Sequence, residues 1–194
     1  MRKFLTVISL VLLIVLGVAY FNYTRHITGT IQPGSVPESW QPAQLQIPAL
    51  GINAPVMAVG QTLSGEMDAP TSDAYNSPYW TSVFWYNQGA APGQAGNMVI
   101  AGHVDRAGGD PAIFWSLGRL QPGDMINVVA NDGSTFHYQV DSVVRYPANY
   151  PSQDAINAVF GQTSAHHLNL ITCSGVWTGS GYDERLVVFT SQVG

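Results

Sequence analysis

Between residues 44 and 190 the chain repeatedly alternates apolar and polar side chains with a period of two, and turn-forming residues punctuate the alternation. A strand sends successive side chains to opposite faces, so this period marks strands with one buried face. It predicts strands at Gln44–Ile47, Ala54–Val59, Met98–His103, Met125–Ala130, Thr135–Val144, Leu168–Cys173 and Leu186–Thr190. The run Asn131-Asp-Gly-Ser predicts a hairpin over Met125–Val144, because Asp-Gly supplies the backbone that tight hairpin turns need. Helical spacing is confined to Pro111–Leu117 and Asp154–Phe160. Many short strands with a few short helices imply a mainly β fold, either a closed barrel or a sandwich.

The N-terminus follows a different pattern. Phe4–Phe21 is an apolar run broken only by Thr6, Ser9 and Gly17. As a helix rising about 1.5 Å per residue it would reach roughly 27 Å, enough for a thin bilayer core. Arg2 and Lys3 precede the run and Arg25 follows it, which favours a cytoplasmic N-terminus and an extracellular remainder. Small residues at Gly17-Val18-Ala19 also suit cleavage of a signal segment. The aromatic residues Tyr20, Phe21 and Tyr23 favour the alternative, an uncleaved single-pass anchor over residues 1–27 in the cell membrane. Residues 28–43, rich in Gly, Pro, Ser and Gln, then form a linker, and residues 44–194 form one folded domain.

Charge and cysteine content remove several functions. Seven Lys and Arg against twelve Asp and Glu give a net charge of −5, with no basic cluster for nucleic acid. One cysteine excludes an intramolecular disulfide, a Cys-x-x-Cys pair and Cys-rich zinc sites. Asp105, Asp110 and Asp124 are scattered without calcium-loop spacing, so neither a metal nor a cofactor is expected.

The single cysteine, Cys173, ends the apolar run Leu-Asn-Leu-Ile-Thr-Cys and is followed by a glycine-rich stretch. A strand end opening into a loop is a suitable place for a nucleophile, and an unpaired thiol outside the cell calls for an explanation. Burial as a small structural residue is the competing reading. Among five histidines, His103 ends the strand Met98–His103 much as Cys173 ends its own, so the two can meet at one rim. His26 lies beside the apolar run, His137 lies in the hairpin, and His166 and His167 point to opposite faces of one strand. Arg185 begins the last predicted strand and can oppose negative charge at the same rim, unless Asp183 or Glu184 pairs with it. Asp105 reads as a loop carboxylate or as an orienting partner for His103, and the cluster Tyr79, Trp80, Phe84, Trp85 and Tyr86 as core.

Several segments together carry a resemblance: Asn97–His103 with Val-Asp-Arg, Leu-Gln-Pro-Gly-Asp, Leu-Ile-Thr-Cys-Ser-Gly, Tyr-Asp-Glu-Arg-Leu-Val-Val-Phe and the early Leu-Gln-Ile-Pro-Ala-Leu-Gly-Ile. From Gln44 onward the chain resembles the sortases, and Cys-Ser-Gly with a downstream Gly-Tyr is most similar to their class F. The resemblance implies a closed eight-stranded β-barrel with Cys173 as nucleophile, His103 as general acid/base and Arg185 as oxyanion and substrate-positioning group. It also implies that Thr172 lines the substrate groove, where the plainer reading is a strand threonine bonded to a neighbour. The implied activity is cleavage of a Leu-Pro-X-Thr-Gly (LPXTG-like) signal between Thr and Gly. A thioester would then pass the acyl group to an amine of a peptidoglycan precursor or a pilin. The other readings are an exported cysteine peptidase, an L,D-transpeptidase and a non-catalytic wall-binding module. The histidine precedes the cysteine and Ile-Thr stands before Cys173, which disfavours the papain-like and L,D-transpeptidase patterns.

Overall fold

A computed structural model of the chain describes residues 36–149 and 151–194. The expected anchor over residues 1–27 and the linker up to residue 35 lie outside the described residues. Among the described residues no helix is long and apolar enough to cross a membrane.

Eight strands form a closed barrel: β1 (Pro42–Ile47), β2 (Ile52–Val59), β3 (Val83–Tyr86), β4 (Gly96–Ala101), β5 (Met125–Ala130), β6 (Thr135–Pro147), β7 (His166–Trp177) and β8 (Tyr182–Gln192). Their order around the barrel is β1-β2-β3-β4-β7-β8-β6-β5, with β5 pairing back onto β1. The β2–β3 and β4–β7 pairs are parallel and the others antiparallel. The expected hairpin is β5–β6, turning at Gly133 with φ 86°. One strand was not foreseen. The run Val83-Phe-Trp-Tyr is buried along its first three residues, so its sequence lacks the alternation of a half-buried strand. The expected core role of these aromatics holds for Trp80, Phe84 and Trp85, which are buried.

The expected helix at Asp154–Phe160 is the α-helix α1 (Gln153–Phe160), whose Ser152 hydroxyl caps the start by accepting from the Ala155 amide. The segment expected to be helical at Pro111–Leu117 instead forms tight turns and a 3-10 turn at Leu117–Arg119. Its amides bond three residues back, as in Trp115 to Ala112 and Leu117 to Phe114, while Phe114 and Leu117 anchor it in the core. β1 begins at Pro42, two residues before the expected domain start.

Alternation along β7 and β8 separates two apolar layers. Leu168, Leu170, Leu186 and Val188 point into the barrel and join its main core. On the outer face Val99, Val187 and Val159 of α1 form a second cluster, bordered by half-buried Ile171, Tyr146 and Met67. The carbonyls at the end of α1 are held by strand asparagines: Asn97 donates to Gly161 and Asn169 to Val159. This outer face carries the candidate site.

Candidate active site

Cys173 lies on the outer face of β7, directly paired with Arg185 of β8. In an antiparallel pair, opposed residues share a face, so the thiol and the guanidinium stem rise from the same side. Contrary to the expected strand end at Cys173, β7 continues to Trp177, and β8 begins at Tyr182 rather than at Arg185. The glycine-rich stretch is therefore mostly hairpin. Gly175, at φ 85°, sits at the ladder irregularity between Ser174 and Trp177, and an added Cβ would collide with the Asp183 carboxylate. That carboxylate accepts from the Val176 amide at 2.7 Å, which fixes the bulge.

His103 approaches from the neighbouring strand. β4 pairs in parallel with β7, ending at Ala101 opposite Ile171, and the Gly102 amide extends the ladder to the Ile171 carbonyl. His103 and Cys173 each stand two residues beyond these partners along the chain. The strand itself stops short of His103, where the sequence pattern carried it through. The imidazole packs against Trp80 and Phe84, with ring centroids 5.0 and 5.5 Å away. Its Nε2 lies 2.9 Å from the Pro70 carbonyl, which can only accept, so Nε2 carries a proton. Nδ1 is then the ring nitrogen with a lone pair able to take up a proton.

Arg185 makes no ion pair among the described residues. Its Nη1 donates to the carbonyls of Tyr182 and Glu184 at 3.1 and 3.0 Å, while Glu184 lies instead near Arg145, at 3.7 Å. The remaining guanidinium N–H groups are available to an incoming oxygen. Thr172 is 5% exposed, and its hydroxyl donates to the Gly102 carbonyl at 2.8 Å. It braces the backbone beside His103.

Asp105 makes no hydrogen bond to His103. Its Oδ2 accepts from the Tyr182 hydroxyl at 2.5 Å, joining the loop after β4 to the start of β8. That bond is the main reason the Tyr182 phenol is pushed up to about 12. Burial pushes the Cys173 thiol above its ordinary value, with Arg185 pulling it down and Asp105 adding to the rise. A neighbouring base helps a thiol raised in this way to form its thiolate.

The other described histidines are engaged elsewhere: His137 with Asn127, His166 with the Gly93 carbonyl and His167 with the Thr190 carbonyl. Among the described residues no three His, Cys, Asp or Glu side chains converge as metal ligands. Two clefts, of about 250 and 290 Å³, include none of Cys173, His103 and Arg185.

A family model described as a sortase domain matches residues 45–193. The chain belongs to the sortase family. It is a sortase-type cysteine transpeptidase, and the expected eight-stranded sortase barrel is the fold observed. Among solved structures this sortase is similar to sortase A from Corynebacterium diphtheriae, with 18% identity and a TM-score of 0.58 over 91% of this chain and 69% of that one. The pilus-related sortase C of Group B Streptococcus matches at 18% identity and TM-score 0.57, covering 83% and 70% of the two chains. A Clostridium perfringens sortase D5 transpeptidase matches at 18% and 0.56, covering 79% of each. No curated protein matches the chain in sequence.

Two features of this sortase escaped the sequence reading. The Pro70 carbonyl beside His103 is a backbone atom 33 residues away and leaves no sequence signature. Tyr182 had a signal, the Gly-Tyr after the cysteine loop, but nothing in the spacing tied its hydroxyl to Asp105.

Proposed function

We propose that this sortase cleaves an LPXTG-like sorting signal between Thr and Gly and transfers the acyl group to an amine of the cell envelope, on a peptidoglycan precursor or a pilin. The observation that carries the proposal is the pairing of Cys173 with Arg185, with His103 two residues past the end of the parallel β4–β7 ladder beside them. As the Cys173 sulfur attacks the Thr carbonyl carbon, Nδ1 of His103 takes the thiol proton. The carbonyl oxygen gains negative charge and meets the unpaired guanidinium N–H groups of Arg185. The C–N bond then breaks, His103 returns the proton to the leaving glycine amine, and a thioester remains. Attack by the second amine reverses these steps and frees the thiol. The half-buried Ile171, two residues before Cys173 on the same face, begins an apolar floor suited to the Leu and Pro of the signal.

The apolar run Phe4–Phe21 supports a single-pass anchor in the cell membrane, with the N-terminus cytoplasmic and the barrel outside. Cys-Ser-Gly and the downstream Gly-Tyr support membership of class F. The direct test is incubation with an LPXTG-type peptide library and glycine or diamine nucleophiles, read by intact mass. A Cys173 adduct that passes to the amine is expected; no adduct with any peptide would overturn the reading in favour of a binding module.

A further inference from the structure

The ladder around Cys173 has two sides. Before it on β7 lies Ile171, paired with Val187 on the apolar outer face. Beyond it Trp177 pairs with Tyr182, and the Tyr182 hydroxyl holds Oδ2 of Asp105 at 2.5 Å. Trp177 also packs edge-on to the Tyr182 ring, with centroids 5.5 Å apart, and Arg185 donates to the Tyr182 carbonyl. The half-buried Asp105 is thus tethered on the side of the thiol away from Ile171, two residues past His103. Among the described residues it has no cationic partner, and its second oxygen accepts no side-chain hydrogen bond.

We infer that Asp105, held by Tyr182, is the binding group for the amine that enters to resolve the thioester, and that it takes this amine as a primary ammonium. The inference rests on the transpeptidase reading above and extends it to the second substrate. With the acyl chain on the apolar side, the amine must come from the other side, where the leaving glycine departs. A terminal α-amine has a pKa of about 8, so at neutral pH most of it arrives as an ammonium ion. A fixed carboxylate beside the acyl carbon gathers that cation and raises its local concentration against water. The bound ammonium gives one proton to solvent, and its nitrogen bonds to the acyl carbon as the C–S bond breaks. The new amide nitrogen loses a second proton to His103, which passes it to the departing Cys173 sulfur. The carboxylate that attracts the amine also raises the thiol. Its removal therefore has opposite effects on the two half-reactions.

The test compares a glycine peptide with hydroxylamine, a nucleophile that is neutral at about pH 7.5, in wild-type enzyme and in Asp105→Asn. Asparagine keeps an oxygen for Tyr182 and removes the charge. After acylation by a sorting peptide, transfer relative to hydrolysis should fall about tenfold for the glycine peptide and stay unchanged for hydroxylamine. Added salt should likewise depress transfer to the glycine peptide in the wild type and spare hydroxylamine, a readout that needs no variant. An equal change with both nucleophiles, or no change with either, overturns the inference and leaves the transpeptidase reading standing. Absence of any acyl-enzyme in the wild type overturns both.

Discussion

Cys173 and Arg185 are opposed residues on one hairpin, so the thiol and the guanidinium are held together by the β7–β8 ladder itself. Backbone hydrogen bonds of the ladder fix the two Cα positions opposite each other. His103 is positioned more indirectly, by the end of β4, two aromatic rings and the Pro70 carbonyl. The consequences of this arrangement are open to measurement.

Replacing the thiol separates chemistry from folding. Cys173→Ala should give no acyl-enzyme by intact-mass analysis. The side chain is small and half-buried, so its loss should change stability by about 1 kcal/mol or less in chemical denaturation. Transfer persisting in this variant would remove Cys173 from the site.

Arg185 stands opposite the thiol and, in the proposed mechanism, also meets the oxyanion. Arg185→Ala should lower kcat/KM about 10²–10³-fold. It should also move the pH profile of Cys173 alkylation upward, because Arg185 pulls the thiol down in the native site. An alkylation profile unchanged from wild type would show that the two groups do not interact.

Thr172 braces the loop that carries His103. Thr172→Val keeps the shape but leaves the Gly102 carbonyl without its 2.8 Å hydrogen bond. Denaturant melts should show a loss of about 1–2 kcal/mol, and kcat should fall through displacement of His103. A full-rate, fully stable variant would show that the brace is dispensable.

Gly102 makes room for a ring. An added Cβ there would stand 2.5 Å from the buried Phe114 side chain. Gly102→Ala should therefore destabilise the barrel by about 1–3 kcal/mol, measured by chemical denaturation. Truncating the ring as well, in Gly102→Ala/Phe114→Leu, should cost less than the sum of the single changes.

Alkali should weaken the fold in a defined window. Burial pushes the Tyr138 phenol up to about 12, and the bond to Asp105 does the same for Tyr182, against an ordinary value of 10.0. Both keep their protons in the folded state after the unfolded chain has lost them. Their contribution is complete below about pH 10 and is lost as pH rises toward 12. Denaturation at stepped pH should show that decline, and Tyr138→Phe should reduce it.

The sequence was readable where one face of a strand is buried and the other wet. β5 carries that alternation from Met125 to Ala130, and its predicted bounds match. β3 lacks it because Val83, Phe84 and Trp85 are all buried, so a real strand looked like undifferentiated core. Cys173, His103 and Arg185 were visible as chemistry-bearing side chains next to strands. The continuation of β7 past Cys173 was hidden because Gly175, which reads as a loop residue, forms a bulge inside the ladder. The Pro70 carbonyl was invisible because any residue can offer one.

The ladder also dictates an order of assembly. Cys173 and Arg185 are 12 residues apart along the chain and meet when one local hairpin closes. Bringing His103 to Cys173 spans 70 residues and waits for the parallel docking of β4 on β7. Short loops close at lower entropic cost than long ones, so during folding the thiol gains its guanidinium before it gains its base. A folding chain in which that hairpin closes first has Arg185 beside the cysteine before His103 arrives. The full set of three side chains is assembled only once the barrel has closed.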